Sequence, residues 1–205
     1  MSDTGTVWVV DDDEAVRESL ALLVQSVGLD VETFASAGEF LDTFEPDRRG
    51  CLVTDIRMPG MSGLELQEKL TEDGALVPVI VLTGHGDVPA AVRALKGGAV
   101  DFVEKPFNPQ ALLDLIQQAI ARDAEIREQA AQEAELAERM ALLTPREQEV
   151  MGLVVAGKAN KVVAIELDIS ERTVELHRGR IMKKMQARSL AELMRLVLPQ
   201  GRGLI

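Results

Sequence analysis

Two kinds of hydrophobic pattern alternate along the first 121 residues of the chain. Apolar runs of four or five residues are typical of buried strands, and between them apolar positions recur at the spacing of amphipathic helices. Five such repeats predict an α/β fold, a doubly wound five-stranded parallel sheet with helices on both faces. The predicted strands are residues 6–10, 30–34, 51–54, 79–82 and 101–104, and the predicted helices are 14–27, 37–44, 64–70, 89–95 and one that begins at 109.

The last of these helices is predicted to continue far beyond the sheet. Neither Gly nor Pro occurs in residues 112–140, and residues 122–139 are rich in Ala, Glu, Gln and Arg, which favour helices. Asp123 and Glu133 interrupt an otherwise apolar heptad seam, so a solvated helical spacer and a weak dimeric coiled coil that transmits strain between domains both remain open. The seam consists of Leu112, Ile116, Ala119, Ile126, Ala130, Ala137 and Met140.

Short helical patterns fill the remainder of the chain. Thr144, Pro145 and Glu147 are the N-cap, first helical residue and capping-box partner of a helix that Gly157 ends. Further helices are predicted at 161–167, 171–185 and 189–197, and the tight turn between the first two of these is typical of a helix-turn-helix. We therefore predict a sheet domain at 1–121, a helical linker at 122–141 and an all-α four-helix domain with a helix-turn-helix at 142–205.

Charge divides the chain into an acidic part and a basic part. Residues 1–141 carry 11 basic and 27 acidic side chains, whereas residues 142–205 carry 11 basic and 7 acidic side chains. An acidic part joined to a basic part indicates two tasks, one of them next to a polyanion such as nucleic acid. The net charge of −12 conceals this division and by itself would argue against nucleic-acid binding.

The single cysteine and the N-terminal residues bear on the compartment. Cys51 excludes an intrachain disulfide, which fits a reducing cytoplasm. It opens a predicted buried strand, so we interpret it as a small core residue and not as a nucleophile. Residues 1–5 show no signal peptide, and no apolar run approaches the roughly 20 residues that cross a bilayer. We expect a cytoplasmic protein with no membrane partner.

Polar side chains follow the predicted strands at the edge where ligands bind in open α/β sheets. Asp11 and Asp12 follow the first strand, Asp55 follows residues 51–54, Thr83 follows residues 79–82 and Lys105 follows residues 101–104. Any one of them alone would be interpreted as an ordinary acidic turn or a solvated lysine. Together they predict a site for a divalent cation and a phosphoryl group, because Mg²⁺ prefers carboxylate oxygens, an Asp can attack a phosphoryl donor and Lys and Thr can hold phosphate oxygens.

These residues, in this order, resemble the receiver domain of two-component response regulators, a flavodoxin-like fold, over about residues 5–121. The resemblance implies that Asp55 accepts a phosphoryl group from a sensor histidine kinase. It also implies Mg²⁺ (or Mn²⁺) as cofactor, a cis peptide between Lys105 and Pro106, and a conformational switch. The implied metal ligands are Asp11, Asp12, Asp55 and the backbone carbonyl of Arg57, and the implied switch residues are Thr83, Phe102 and Lys105.

The second half of the chain resembles the LuxR-type output domain, and residues 83–89 and 104–107 are similar to the FixJ branch of response regulators. The resemblance implies a homodimer that forms on phosphorylation through the fourth helix and fifth strand, with Val88, Val92 and Lys96 on the dimer face. Double-stranded promoter DNA and RNA polymerase are the further partners that it implies. Asp168 stands where the turn commonly has Gly, and Asp tolerates the left-handed conformation better than most residues.

The helix at 171–185 has one apolar face and one face suited to the major groove. At 100° per residue, Val174, Ile181 and Met185 share the core face, and His177 lies at its edge as a packed, hydrogen-bonded side chain. On the outward face, Leu176 suits a thymine methyl group and Glu175 suits cytosine N4. An ordinary solvated helix face is the alternative. The candidate DNA-binding residues are Lys161, Arg172, Thr173, Glu175, Leu176, Gly179, Arg180 and Lys183, with Lys161, Arg172 and Lys183 assigned to phosphates.

Three functions compete for these features. The first, which we favour, is a transcription regulator that phosphorylation of Asp55 switches, with no enzymatic activity beyond self-phosphorylation and self-dephosphorylation at that residue. The second is a Mg²⁺-dependent phosphohydrolase, but Arg57 stands where such enzymes need a second acid. The third is an adaptor that has lost DNA binding, which the basic helical part disfavours. Whether control acts through dimerisation or through masking of the DNA-binding face stays open.

Overall fold

The structure, a computed structural model, describes residues 5–84 and 88–198, and of residues 88–91 it describes only the backbone. Within the sequence phrase at 83–89, His85, Gly86 and Asp87 therefore lie outside the described residues. The chain forms two compact units, Met1–Glu128 and Gln129–Ile205. The predicted boundaries at residues 121 and 142 lie on either side of this division.

Five parallel strands form the sheet of the first unit, in the order β2-β1-β3-β4-β5. The order confirms the predicted doubly wound fold, and it places the carboxyl ends of β1 and β3 side by side. Every residue of β1 is buried, as expected for a parallel strand that helices cover on both faces. The strands are β1 (Thr6–Val10), β2 (Asp30–Phe34), β3 (Gly50–Asp55), β4 (Val79–Thr83) and β5 (Asp101–Glu104).

The helices divide between the two faces of the sheet because successive strand residues point to opposite sides. Val7 and Val9 pack with α1 and α5, whereas Trp8 and Val10 pack with α2, α3 and α4. Cys51 belongs to the core on the α1 and α5 side, and its thiol is free and buried. The helices of this unit are α1 (Glu14–Gln25), α2 (Ala37–Thr43), α3 (Gly63–Glu72), α4 (Val88–Lys96) and α5 (Pro109–Ala141), of which α5 extends into the second unit.

Helix α5 is one continuous helix of 33 residues, as the sequence predicted. Leu112, Ile116 and Ala119 are fully buried in the core beneath the sheet, so these three residues are not available to an intermolecular coiled coil. The heptad spacing of these three residues reflects packing on the sheet, because a helix that packs on a sheet needs nearly the same spacing of apolar residues as a coiled coil. Within the described residues, the question of a coiled coil remains for residues 126–137.

The charge that interrupts the seam, Asp123, is fully buried at the amino edge of the sheet. Its carboxylate accepts hydrogen bonds from the backbone N–H of Gly50 at 3.1 Å and from Nε of Arg127 at 2.8 Å. Arg127 in turn donates through Nη2 to the carbonyl oxygen of Arg48 at 2.8 Å. Asp123 therefore attaches α5 to the first residue of β3, and the ion pair offsets the cost of burying its charge.

The second unit is entirely helical in its described residues. Its core includes Val150, Val163, Val174 and Ile181, and Leu136 and Met140 of α5 pack against it. Asp168 has φ 52° in the turn between two helices, which confirms the expected left-handed conformation. The helices are α6 (Pro145–Val155), α7 (Asn160–Glu166), α8 (Glu171–Lys184) and α9 (Leu190–Val197). No helix in the described parts of either unit is both long and apolar enough to cross a membrane.

The contact between β1 and β3 at Gly50 leaves no room for a side chain. A Cβ at Gly50 would lie 1.9 Å from the carbonyl oxygen of Thr6 and 2.8 Å from the Trp8 ring. We expect Gly50→Ala to lower the free energy of unfolding in urea by about 3 kcal/mol or more, because overpacking here must separate two paired strands. Gly38→Ala is the matched control: its nearest contact is 3.8 Å, and inside α2 it should stabilise by up to ~1 kcal/mol. Equal stability of the two variants would contradict the close approach.

Candidate functional site

Three of the predicted site residues meet at the carboxyl edge of the sheet. Nζ of Lys105 lies 2.5 Å from Oδ1 of Asp55 and 2.7 Å from Oδ2 of Asp11. Asp55 ends β3, whereas Asp11 directly follows β1 and Lys105 directly follows β5. The side chains are largely enclosed: Asp11 is 2%, Asp55 13% and Lys105 25% exposed. One ammonium group therefore joins two carboxylates from separate strands.

Backbone hydrogen bonds orient both carboxylates. The N–H of Arg57 donates to Oδ2 of Asp55 at 2.6 Å, and the N–H of Asp13 donates to Oδ1 of Asp11 at 2.9 Å. Arg17 on α1, which the sequence analysis did not single out, donates through Nη1 to the carbonyl oxygen of Asp11 at 2.8 Å. Arg17 lies one turn after Asp13, the N-cap of α1, and this closeness in sequence to Asp11 could have indicated the contact. Each carboxylate thus keeps one oxygen for Lys105.

The pKa of Lys105 is raised above its usual value. Burial is the largest influence and acts to lower the pKa, but the hydrogen bonds and the charges of Asp11 and Asp55 together outweigh it. The amine therefore stays protonated at neutral pH and supplies a fixed positive charge at this edge. The peptide bond between Lys105 and Pro106 is cis, which confirms the expectation from the resemblance.

Other predicted site residues do not join this cluster. Asp12 is exposed, and the hydroxyl of Thr83 donates to the carbonyl oxygen of Gly84 at 3.1 Å. Phe102 is 39% exposed. The N–H of Arg57 donates to Asp55, and the role of its backbone carbonyl as a metal ligand stays a prediction.

The donor atoms at this edge suit a hard divalent cation. Among residues 5–84 and 88–198, no group of three carboxylate, histidine or cysteine side chains lies close enough together to hold a metal ion as placed. Asp11 and Asp55 nevertheless hold a positive charge between them, that of Lys105. Because carboxylate and carbonyl oxygens are the ligands that Mg²⁺ prefers, the residues present fit that ion.

In the second unit, α8 has the two faces that the sequence predicted. Val174, Ile181 and Met185 are buried, and Leu176 is 57% exposed. Thr173 is half-buried, and its hydroxyl lies 2.8 Å from that of the N-cap residue Ser170. The remaining predicted contact residues are all exposed: Lys161, Arg172, Glu175, Gly179, Arg180 and Lys183.

Polar contacts that the sequence analysis missed hold α8 against its neighbours. Arg178 donates to Oδ1 of Asn160 on α7 at 2.8 Å, and Lys184 donates to Oε2 of Glu147 on α6 at 2.6 Å. The sequence contained evidence for these contacts. Arg178 and Lys184 lie at helical spacing from the core residues Val174 and Ile181, which places both on the inner face of α8. The hydrogen-bonded state predicted for His177 is wrong for one nitrogen: Nδ1 is buried and has no partner among the described residues.

Glu147 has an unusually acidic side chain. The hydrogen bond from Lys184 and the backbone N–H of Thr144 lower the pKa of Glu147 to about 2. The Thr144 bond is the capping box that the sequence predicted, and the structure confirms it. The carboxylate, 2% exposed, therefore serves both as the cap of α6 and as the ion-pair partner of α8.

Comparisons with known proteins agree with both units. Residues 7–117 match the family model described as the response regulator receiver domain, and residues 141–197 match bacterial regulatory proteins of the luxR family. The chain is 50% identical over 201 residues to the transcriptional regulatory protein FixJ of Azorhizobium caulinodans, which covers 98% of this chain and 95% of that protein. It is 50% identical over 195 residues to nodulation protein W of Bradyrhizobium diazoefficiens, covering 95% and 86% respectively.

A solved structure extends the agreement to three dimensions. The response regulator StyR superimposes with a TM-score of 0.85 at 49% identity, over 95% of this chain and 98% of that chain. Strand order and the acidic edge define the first unit as a receiver domain, and the second is a LuxR-type helix-turn-helix domain. The chain belongs to the FixJ-type two-component response regulators and is a response regulator transcription factor.

Acid should destabilise the second unit through Glu147. Its pKa is about 2 when folded against 4.5 in the absence of these contacts, so its contribution to stability is complete above about pH 4.5 and is lost as the pH falls towards 2. Glu147→Gln should remove that part of the pH dependence, measured by urea unfolding between pH 6 and 2.5. Glu138→Gln, at an exposed position, is the control and should leave the profile unchanged. A wild-type profile that the Glu147 substitution does not alter would contradict the assignment.

Proposed function

We propose that Asp55 accepts a phosphoryl group from a sensor histidine kinase, and that the phosphorylated chain forms homodimers that bind promoter DNA more tightly. The observation that carries the proposal is the Lys105 ammonium group between Asp55 and Asp11. Catalysis of phosphoryl transfer consists mainly of positioning and of neutralising charge on the transferred group. This edge supplies a fixed nucleophile and a fixed positive charge 2.5 Å apart.

The transfer itself requires little of the protein. A carboxylate oxygen of Asp55 forms a bond to phosphorus while the bond from phosphorus to the histidine nitrogen of the kinase breaks. Lys105 then pairs with a phosphate oxygen, and the Thr83 hydroxyl, which now donates to Gly84, turns to another. Phe102, exposed on the neighbouring strand β5, is the residue proposed to change its orientation with Thr83. Attack of water on the same phosphorus breaks its bond to the Asp55 oxygen, releases inorganic phosphate and leaves Asp55 as a free carboxylate.

A divalent cation, Mg²⁺ or Mn²⁺, belongs to this proposal. Asp11, Asp12, Asp55 and the backbone carbonyl of Arg57 would hold it, and when bound it neutralises negative charge on the phosphate oxygens. Asp11 is already oriented by Arg17 and by the N–H of Asp13.

Asp55→Asn tests the acceptor directly. The substitution keeps the size of the side chain but removes the nucleophilic oxygen. With acetyl phosphate and Mg²⁺, mass spectrometry should show one phosphoryl group on the wild-type chain and none on the variant. Without Mg²⁺ the wild type should also remain unmodified. A phosphoryl group on Asp55→Asn would disprove the assignment of the acceptor.

The proposed dimer face lies on α4 and β5. Val92 and Leu95 are 44% and 45% exposed, and Phe102 on β5 is 39% exposed. Lys96 is exposed at the end of α4; the side chain of Val88, the other predicted contact, lies outside the described part. Exposed apolar residues on adjacent elements are typical of a two-fold interface, in which both subunits use the same surface patch.

Val92→Asp should prevent phosphorylation-dependent dimers, because it places like charges on either side of a two-fold axis. Light scattering of the phosphorylated variant should give the monomer mass, and the variant should lose the tightening of DNA binding that phosphorylation produces. Leu22→Asp on α1, where the native side chain is 69% exposed, is the control and should dimerise normally. A fully dimeric Val92→Asp would refute this face and direct attention to residues 126–137 of α5.

The DNA contacts are proposed on the outward face of α8. Leu176 and Glu175 suit base edges in the major groove, and Gly179 permits close approach. Arg172, Lys183 and Lys161 are proposed to contact phosphates. Thr173 and Arg180 complete the proposed contact set. One helix-turn-helix makes few base contacts, so two copies on a near-palindrome bind more tightly than one. RNA polymerase is the further partner that we propose for the dimer bound to DNA.

A further inference from the structure

The carboxyl end of α8 has a Schellman motif with an unusual residue in its left-handed position. Gln186 has φ 55°, a conformation that Gly normally supplies. Its N–H donates to the carbonyl oxygen of Lys183 at 3.3 Å, and the N–H of Ala187 donates to that of Met182 at 3.0 Å. These bonds satisfy carbonyls inside the helix. The carbonyl of the C-cap residue Met185 needs a different donor.

That donor comes from the linker helix. Nη1 of Arg139 on α5 donates to the carbonyl oxygen of Met185 at 3.2 Å, and Nη2 forms an ion pair with Glu135 at 2.5 Å. The Arg139 side chain is 17% exposed. On the same turns of α5, Leu136 and Met140 pack against the core of the second unit. Arg139 is therefore held in place by its helix while its guanidinium group reaches the end of α8.

The carboxyl end of α8 is a favourable partner for a positively charged donor such as Arg139. The carboxyl end of a helix carries partial negative charge, so a cation stabilises it, and the effect is larger where water is largely excluded. The other polar contacts of α8 described above, from Asn160 and Glu147, come from α7 and α6. Arg139 is the contact that comes from α5, the helix that continues from the receiver domain.

We propose that Arg139 is a positioning residue for DNA binding: the last turns of α5 belong to the DNA-binding unit, and Arg139 fixes the end of α8. The proposal rests on the proposed role of α8 as the helix that contacts DNA. Arg139 itself does not touch DNA. It acts through the carbonyl of Met185, so its loss should affect the fit of α8 in the groove more than the general attraction of the domain to phosphates.

The test compares specific and non-specific binding by the full chain after treatment with acetyl phosphate and Mg²⁺. The specific probe is a short duplex that the wild-type chain selects from a random pool, and the non-specific probe is poly(dI-dC). We expect Arg139→Met to weaken specific binding about tenfold, the scale of one hydrogen bond to a charged group, with non-specific binding within about twofold of the wild type. Arg139→Lys, which keeps the charge and a donor, should recover part of the loss.

Arg122→Met is the matched control, because Arg122 is an exposed residue of the same helix and its loss should change neither affinity. The salt dependence separates positioning from contact. A residue that positions α8 leaves the slope of log affinity against log salt unchanged, whereas loss of a phosphate contact lowers the slope by about one. A lowered slope for Arg139→Met would therefore overturn the proposal.

Two further outcomes are distinguishable. If the wild-type chain selects no duplex from the pool, the proposed function of α8 fails. If it does select one and Arg139→Met binds it as tightly, the inference about Arg139 fails. Thermal unfolding followed by circular dichroism accompanies each measurement. If Arg139→Met loses the melting transition of the second unit and both affinities fall together, Arg139 is required for folding and the positioning role is refuted.

Discussion

The ion pair of one ammonium group with two carboxylates is the interaction on which the receiver domain depends. Enclosed carboxylates close together repel each other and lose hydration, so each needs a nearby positive charge. Lys105 meets that need for Asp11 and Asp55 at once, with distances of 2.7 and 2.5 Å. The three residues come from separate strand ends, and the observed strand order brings those ends to one edge of the sheet. The electrostatics of the site and the topology of the sheet are thus one constraint.

This constraint explains why so much of the receiver domain was predictable from sequence. Parallel strands covered on both faces are largely apolar, which made β1 recognisable to the residue. The edge strand β2 was recognisable from its alternation of polar and apolar residues. A single polar residue after such a strand is ordinary, but Asp11, Asp55 and Lys105 stood out because they follow three strands whose carboxyl ends lie at one edge of the sheet. The bounds that differed did so for local reasons. Helix α1 ends at Gln25 and not at residue 27, because the chain turns at Gly28, which has φ 77°.

Contacts between side chains distant in sequence were not predictable in the same way. Asp123 looked like a defect in an apolar seam, yet it is buried against the N–H of Gly50, 73 residues earlier in the chain. A periodic pattern shows which face of a helix is buried, but it does not show which backbone group of another element that face will contact. The same applies to Glu147, whose capping role is local and was predicted, and whose partner Lys184 lies on another helix.

The burial of Cys51 close to Asp123 has a chemical consequence for its thiol. Desolvation, together with the negative charge of Asp123, raises the pKa of the Cys51 thiol to about 12. The thiolate is the reactive form of cysteine, and with this pKa almost no thiolate exists at neutral pH. The sulfur is also buried between the sheet and helices α1 and α5, out of reach of reagents. Oxidants and alkylating agents should leave the native chain unmodified. A cysteine introduced on the surface would then carry a fluorophore or spin label as the single modified position, with the natural cysteine left in place.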